Sequence, residues 1–140
     1  MVDAETRLLR DLLLGFVKIH ILYHAQVEPI YGTGISRELE GHGYELSWGT
    51  LYPLLHALES AGMLERNNKI VDGKIRKYYT ITPTGQHALD EATRKAVELV
   101  AEVVGVDPRL VADSHGRGPQ SGSSKSSTLG SVPAEGSQSV

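Results

Sequence analysis

The sequence predicts a mainly α fold with a small β-hairpin, and three observations predict it. Apolar residues recur at three- and four-residue steps over residues 8–23, 51–58 and 89–104, which is the period of amphipathic helices. Met63-Leu64-Glu65-Arg66 and Ile75-Arg76-Lys77-Tyr78-Tyr79-Thr80-Ile81 flank Asp72-Gly73, a dipeptide whose tolerance for positive φ suits the tight turn between antiparallel strands. The stretch from Arg66 to Lys77 carries Arg66, Lys69, Lys74, Arg76 and Lys77 against a single Asp72, in a chain of formal charge -3. A positive block on a two-stranded ribbon, in a chain that is otherwise acidic, is what phosphate binding requires. A solvated hairpin that keeps its Lys and Arg for solubility is the alternative.

The first helix places Leu8, Leu9, Leu12, Leu13, Phe16, Ile19, Leu22 and Tyr23 on one wide face. It stops before Glu28-Pro29, because the residue preceding a proline is driven out of the helical region, and Tyr31-Gly32-Thr33-Gly34 reads as a turn. A short helix then covers roughly Thr33 to Glu40 and ends at Gly41-His42-Gly43, glycine being the least strained left-handed cap. After extended Tyr44-Glu45-Leu46, Ser47 is placed to cap a third helix by accepting from the amides of its first turn, and Leu51, Leu54, Leu55 and Leu58 form its buried stripe. Ala61-Gly62 closes this helix, and Pro53 predicts a loosened or kinked first turn, since it removes a hydrogen bond.

Beyond the hairpin, Thr82-Pro83 supplies a cap and a first-turn proline for a fourth helix reaching about Val104. Leu89, Ala92, Ala96, Leu99 and Val103 line one stripe of it, widened by Val97, Val100 and Val104. At 1.5 Å per residue this helix is about 33 Å long, and it follows a domain whose three helices already supply a core, so its apolar face needs another surface. The expected organisation is a domain over residues 1–82, a pairing helix over 83–106 and a disordered Gly/Ser-rich tail over 107–140. From Ser114 onward sixteen of twenty-seven residues are Gly, Ser or Pro, too few apolar groups to repay the entropy of ordering.

Composition removes several classes of function. A chain of 140 residues with 40% hydrophobic content buries one modest core. Without cysteine, disulfides, thiolate metal sites and cysteine nucleophiles are excluded. The N-terminus begins acidic and no apolar run approaches the length of about 20 residues that spans a bilayer, so a soluble cytoplasmic protein with no membrane partner is expected. No Gly-rich phosphate loop, nucleophile elbow or paired acid and base supports an enzyme.

Helix, short helix, helix and basic hairpin follow one another in the order of a winged helix-turn-helix. In that arrangement the third helix presents its N-terminal residues to the major groove. Ser47, Gly49, Thr50, Tyr52 and His56 lie off the leucine stripe and can face outward, with Trp48 beside them in the first turn. Gly49 permits close backbone approach, and the hydroxyls of Ser47, Thr50 and Tyr52 suit phosphate oxygens more than they encode a base sequence. For Tyr52 the alternative is partial burial against the wing. Lys69, Lys74, Arg76 and Lys77 are placed to reach the adjacent backbone or minor groove. Strand alternation puts Arg76 with Tyr78 on one face and Lys77 with Tyr79 on the other, so Arg76 and Lys77 cannot contact DNA equally. Tyr78 and Tyr79 read as packing between wing and core rather than as stacking platforms.

His20 and His24 lie one helical turn apart, close enough to share a divalent metal ion if a further ligand comes from His42 or from a second copy of the chain. Against this, His20 lies on the face of Phe16 and Tyr23, where a hydrogen-bonded core histidine is the commoner outcome. His56, His87 and His115 are scattered and suggest no metal site. No other cofactor is expected.

The element order, with Gly15-Phe16-Val17-Lys18-Ile19-His20-Ile21-Leu22, His42-Gly43-Tyr44, Ser47-Trp48-Gly49-Thr50-Leu51-Tyr52-Pro53-Leu54-Leu55, Gly62-Met63-Leu64 and Arg76-Lys77-Tyr78-Tyr79, resembles the PadR family of bacterial transcriptional regulators over roughly residues 8–104. A single fourth helix is similar to the short-C-terminal branch of that family. The resemblance implies a homodimer built through the first and last helices, with Phe16, Leu89, Ala92, Ala96, Leu99, Val100 and Val103 at its interface. It also implies a palindromic double-stranded DNA operator, repression, and release by a small effector. Trp48 departs from the family pattern, which often has proline there, so operator preference does not transfer across it. Two other readings are a metal-responsive regulator acting through His20 and His24, and a winged-helix protein-interaction module. Five cations on the wing argue against the module, because a protein partner has no specific need of them.

Overall fold

The computed structural model describes residues 3–113 of the chain. In chain order the elements are α1 (Ala4–Val27), β1 (Ile30–Tyr31), α2 (Gly32–Gly41), α3 (Trp48–Ser60), β2 (Leu64–Val71), β3 (Lys74–Ile81), α4 (Pro83–Val104) and α5 (Pro108–Asp113). The fold is thus mostly helical, with a small antiparallel sheet of order β1-β3-β2.

Helix α1 begins four residues earlier than its apolar pattern because Asp3 caps it, accepting from the Thr6 amide at 2.8 Å. Its apolar face divides. Val17, Ile21, Leu22 and Ala25 enter the core, whereas Leu8, Leu9, Leu12, Leu13, Phe16 and Tyr23 are exposed. Of the stripe that the periodicity picks out, Leu22 alone is fully buried. The N-terminal half of α1 therefore carries an apolar surface that the described residues leave exposed.

Tyr31 is a strand residue rather than part of a turn. Ile30 pairs with Tyr79 and Tyr31 with Tyr78, adding a third strand to the expected two. Ile30 is buried, which anchors this short strand on the core despite its two-residue length. The core itself gathers Val17, Ile21 and Leu22 of α1, Ile35 and Leu39 of α2, Leu51, Leu55 and Leu58 of α3, and Leu64, Tyr79 and Leu89. Leu54 is half-buried at its edge.

The hairpin turn has Asp72 at φ 52° and Gly73 at φ 75°, the two consecutive positive values that a two-residue turn of this hand demands. Both strands run to the turn, so β2 reaches Val71 rather than ending at Arg66. At the opposite end of β3, Thr82 joins three elements. Its hydroxyl accepts from the Gly85 amide at 3.0 Å, donates to the Gly62 carbonyl, and its amide donates to the Met63 carbonyl at 3.1 Å. Helix α4 starts at Pro83 and runs to Val104, as expected, and Gly105 ends it in the left-handed conformation at φ 78°.

Two expectations need correction. Leu89, assigned to an interface between copies, is 5% exposed and belongs to the chain's own core, because the first turns of α4 pack on the sheet and α1. The segment assigned to the tail from residue 107 begins with α5, whose first turn is steadied by Asp107 accepting from the Arg109 amide at 2.9 Å. Residues 114–140, the bulk of the expected tail, lie outside the described residues.

Candidate nucleic-acid interface

Helix α3 starts at Trp48 with Ser47 as its N-cap residue, but the Ser47 side chain does not cap it. Its hydroxyl lies instead 3.2 Å from the Thr50 hydroxyl, which accepts from the Arg10 guanidinium at 3.0 Å. The Ser47 carbonyl takes both the Thr50 and the Leu51 amides, at 3.0 and 2.9 Å, so the first turn is tightened by an i to i+3 bond. The helix continues without interruption through Pro53, which faces solvent. An exposed helix N-terminus without a side-chain cap, bordered by hydroxyls and a guanidinium, presents a partial positive charge outward.

Of the α3 residues expected to face DNA, Ser47, Trp48, Gly49, Thr50 and Tyr52 share that end of the helix, and His56 lies about two turns further along. Ser47, Trp48, Gly49, Tyr52 and His56 are exposed and Thr50 is half-buried. Tyr52 is 49% exposed, so it is neither free nor buried; its ring lies 5.3 Å from that of Trp48. Both rings close over Gly32 at the start of α2, where a Cβ would stand 3.2 Å from the Trp48 ring and 3.4 Å from the Tyr52 hydroxyl. A shallow cleft of about 290 Å³ separates this aromatic lip from the wing, and Arg76 and Lys77 form part of its far side.

On the wing, the register confirms the two-faced arrangement. Lys69 stands opposite Arg76 and Asn67 opposite Tyr78 on one face, while Lys77 and Tyr79 share the other. Arg76 lies over the Tyr31 ring at 4.5 Å and Lys69 over the Tyr78 ring at 5.1 Å, so Tyr31 of β1 and Tyr78 of β3 supply an aromatic floor for these cations. Tyr79 is a packing residue, and burial pushes its phenol up. Tyr78 is half-buried with its ring edge-on to Tyr31 at 5.5 Å. Arg66 is 3.5 Å from Glu59 and leaves the basic set; among the described residues Lys69, Lys74, Arg76 and Lys77 make no salt bridge. At the wing tip, Ile70 and Ile75 face each other and are both exposed.

Three comparisons bear on this arrangement. The family model described as the transcriptional regulator PadR-like family matches residues 21–91, which span the winged domain from α1 into α4. The chain belongs to the PadR-like family. The transcriptional regulator Rv3488 of Mycobacterium tuberculosis is 43% identical over 97 residues, which are 69% of this chain and 91% of that protein. Among solved structures, a PadR family transcriptional regulator from Eggerthella lenta is 31% identical, with 74% of this chain and 90% of that one covered and a TM-score of 0.62. A PadR-like transcriptional regulator from Bacillus cereus is 33% identical over 68% of this chain and 93% of the other, with a TM-score of 0.59. This PadR-like chain is accordingly a transcriptional regulator and not an enzyme, and family membership implies action through DNA.

The remaining site residues of this PadR-like regulator fall into two groups. Phe16, Leu99, Val100 and Val103 are exposed, the last at 76%, and Ala92 and Ala96 are half-buried beside them. His20 and His24 are half-buried and meet exposed His42 in one cluster. Burial holds the His20 imidazole below its ordinary pKa of 6.5, and His42 and His24 act in the same direction. Sequence reasoning missed Arg10 and Tyr31. Neither has a local signal, because Arg10 meets Thr50 across forty residues and Tyr31 meets Arg76 only through sheet pairing. No helix among the described residues is long and apolar enough to cross a membrane.

Proposed function

We propose that this regulator is a homodimeric repressor of the cytoplasm that binds a palindromic operator and is released by a small effector. The observation that carries the reading is the N-terminus of α3 without a side-chain cap, across a cleft from a wing whose Lys69, Lys74, Arg76 and Lys77 make no salt bridge among the described residues. The first turn of α3 enters the major groove, with Ser47, Thr50 and Tyr52 on phosphate oxygens and Arg10 reinforcing Thr50. Lys69, Lys74, Arg76 and Lys77 hold the backbone beside it, which gives affinity and register but little base discrimination. Specificity then rests on few groups, chiefly the side chains of Trp48 and His56 and the close backbone approach at Gly49, and on the shape of the DNA.

Dimerisation is supported by the apolar surfaces that the described residues of one chain leave open. Leu8, Leu9, Leu12 and Phe16 on α1, and Leu99, Val100, Val103 and Val104 on α4, are all exposed. Large contiguous apolar patches of this kind mark association surfaces, and a two-fold mate covers both at once. The pair then presents two α3 helices to one face of a duplex, which explains a palindrome. Between α1 and α4 lies an open cavity of about 1320 Å³, lined in part by Phe16, Ile19, Tyr23, Ala96, Val97 and Val100. An apolar effector bound there next to the pairing helices has the position needed to favour one spacing of the two α3 helices over another.

Selection of fragments from sheared genomic DNA by the purified protein tests this function. The expected result is a small set of fragments sharing an inverted repeat, with half-site centres about one helical turn, roughly 34 Å, apart or a multiple of it. Absence of any enriched duplex would instead favour the protein-interaction module.

A further inference from the structure

The histidines of α1 and the end of α2 form a constellation that DNA binding does not use. His20 and His24 project from successive turns of α1, and His42 is the residue that caps α2. Ring centroids lie 4.4 Å apart for His20 and His42, 6.4 Å for His20 and His24, and 6.1 Å for His24 and His42. Each ring offers one nitrogen, and the three nitrogens all lie within 4.8 Å of one another. Among the described residues no carboxylate belongs to the cluster.

A packing role for these rings leaves one fact unexplained. Nε2 of His24 is buried and, among the described residues, has no hydrogen-bond partner. A buried polar atom without a partner costs about 1–3 kcal/mol, and core histidines avoid that by bonding to a carbonyl, carboxylate or hydroxyl. The ring that carries this unpaired nitrogen is one of three imidazoles that each bring a ring nitrogen to the cluster.

We propose that His20, His24 and His42 form a three-nitrogen site for a borderline divalent transition metal of the zinc, cobalt, nickel and copper class. Imidazole suits those ions, whereas calcium and magnesium demand oxygen ligands that this cluster lacks. A tetrahedral ion with bonds of about 2.0–2.1 Å sets its ligand nitrogens about 3.4 Å apart. The nitrogens of the cluster, within 4.8 Å, close to that spacing by side-chain rotation, for which exposed His42 has the room. Two ligands one helical turn apart on α1 fix the ion against a rigid rail, and His42 completes a triad. Water takes the fourth position, because His42 opens the site to solvent. The bound ion ties the middle of α1 to the end of α2, five residues before Ser47 and the start of α3. Tyr44, 5.5 Å from His20, and Tyr23, 5.3 Å from His24, wall the site with aromatic surface.

The test is calorimetric titration of the tag-free full-length protein with zinc chloride, alongside His42→Ala and His24→Gln, with visible absorption of the cobalt(II) form as a second readout. The expected result is one ion per chain, affinity weakened at least roughly tenfold in both variants, and cobalt d–d bands that the variants lose. His42 is exposed, so His42→Ala retains the fold and keeps the test decisive should His24→Gln unfold. Unchanged zinc affinity in His42→Ala, or no saturable binding by the unmodified protein, overturns the site. Binding through His56, His87 or His115 would survive both substitutions and would count as that failure.

Discussion

Replacing Gly85 by alanine should destabilise the protein although alanine is the better helix former. The position is the third residue of α4 and is buried. A Cβ there would stand 2.1 Å from the Met63 carbonyl oxygen, and 2.9 Å from both the Met63 carbonyl carbon and Cγ1 of Ile81. Two of those atoms are backbone, so relief requires about 1 Å of main-chain movement rather than a rotamer change. That movement also disturbs the bond from the Thr82 amide to the same Met63 oxygen. Overpacking costs about 1–3 kcal/mol and the strained hydrogen bond about 1 kcal/mol, while helix propensity returns at most about 1 kcal/mol. The net loss is about 2 kcal/mol, or roughly 8–16 °C in Tm for a domain of this size. Thermal unfolding followed by circular dichroism measures it, at one chain concentration for both proteins because pairing makes Tm concentration-dependent. A Gly85→Ala protein that melts at or above the unmodified one would refute the close approach of α4 to the root of the wing.

Leu99→Glu with Val103→Glu places two charges on the exposed stripe of α4, and should give a monomer by ultracentrifugation that binds a half-site weakly; an unmodified protein that is itself monomeric at micromolar concentration would contradict the dimer. Arg10→Ala removes the guanidinium that donates to Thr50 at the exposed start of α3, and should weaken operator binding about tenfold through the lost cation beside the phosphates, while Tm changes little because the substitution is at the surface. The depressed pKa of His20, caused by burial and by His42 and His24, means that the unfolded chain binds the proton more readily than the folded one. In metal-free protein, stability should therefore be fully present above pH 6.5 and fall as pH drops below it, and His20→Gln should flatten that fall in urea titrations at successive pH values.

Much of the fold is legible in the sequence because its signals are local. Thr82-Pro83 and Asp72-Gly73 fix the start of α4 and the wing turn through backbone constraints that act within a few residues. The apolar pattern of α1 is read less well, since periodicity marks a face without saying which neighbour covers it. Val17, Ile21 and Ala25 meet the chain's own core, and Leu8, Leu9 and Leu12 do not. The same ambiguity placed Leu89 at the interface. At the nucleic-acid face, the charges and hydroxyls were visible by type, but their arrangement depends on tertiary partners. Arg66 is removed by Glu59, Arg76 is seated on Tyr31, and Ser47 turns to Thr50 instead of capping α3. The histidine cluster was half visible, because the i, i+4 pair on α1 is a sequence feature and the arrival of His42 is a product of how α2 packs.

Phosphate binding by the wing is measured most directly by the salt dependence of operator affinity. For the unmodified protein, the logarithm of the binding constant should fall steeply and linearly with the logarithm of salt concentration. Replacing Lys74, Arg76 and Lys77 by alanine removes up to six cations from a dimer, and at about 0.9 per phosphate contact should flatten the slope by about 3–5. An identical slope in the variant, or binding by the unmodified protein that ignores salt, would contradict the wing as the element that holds DNA.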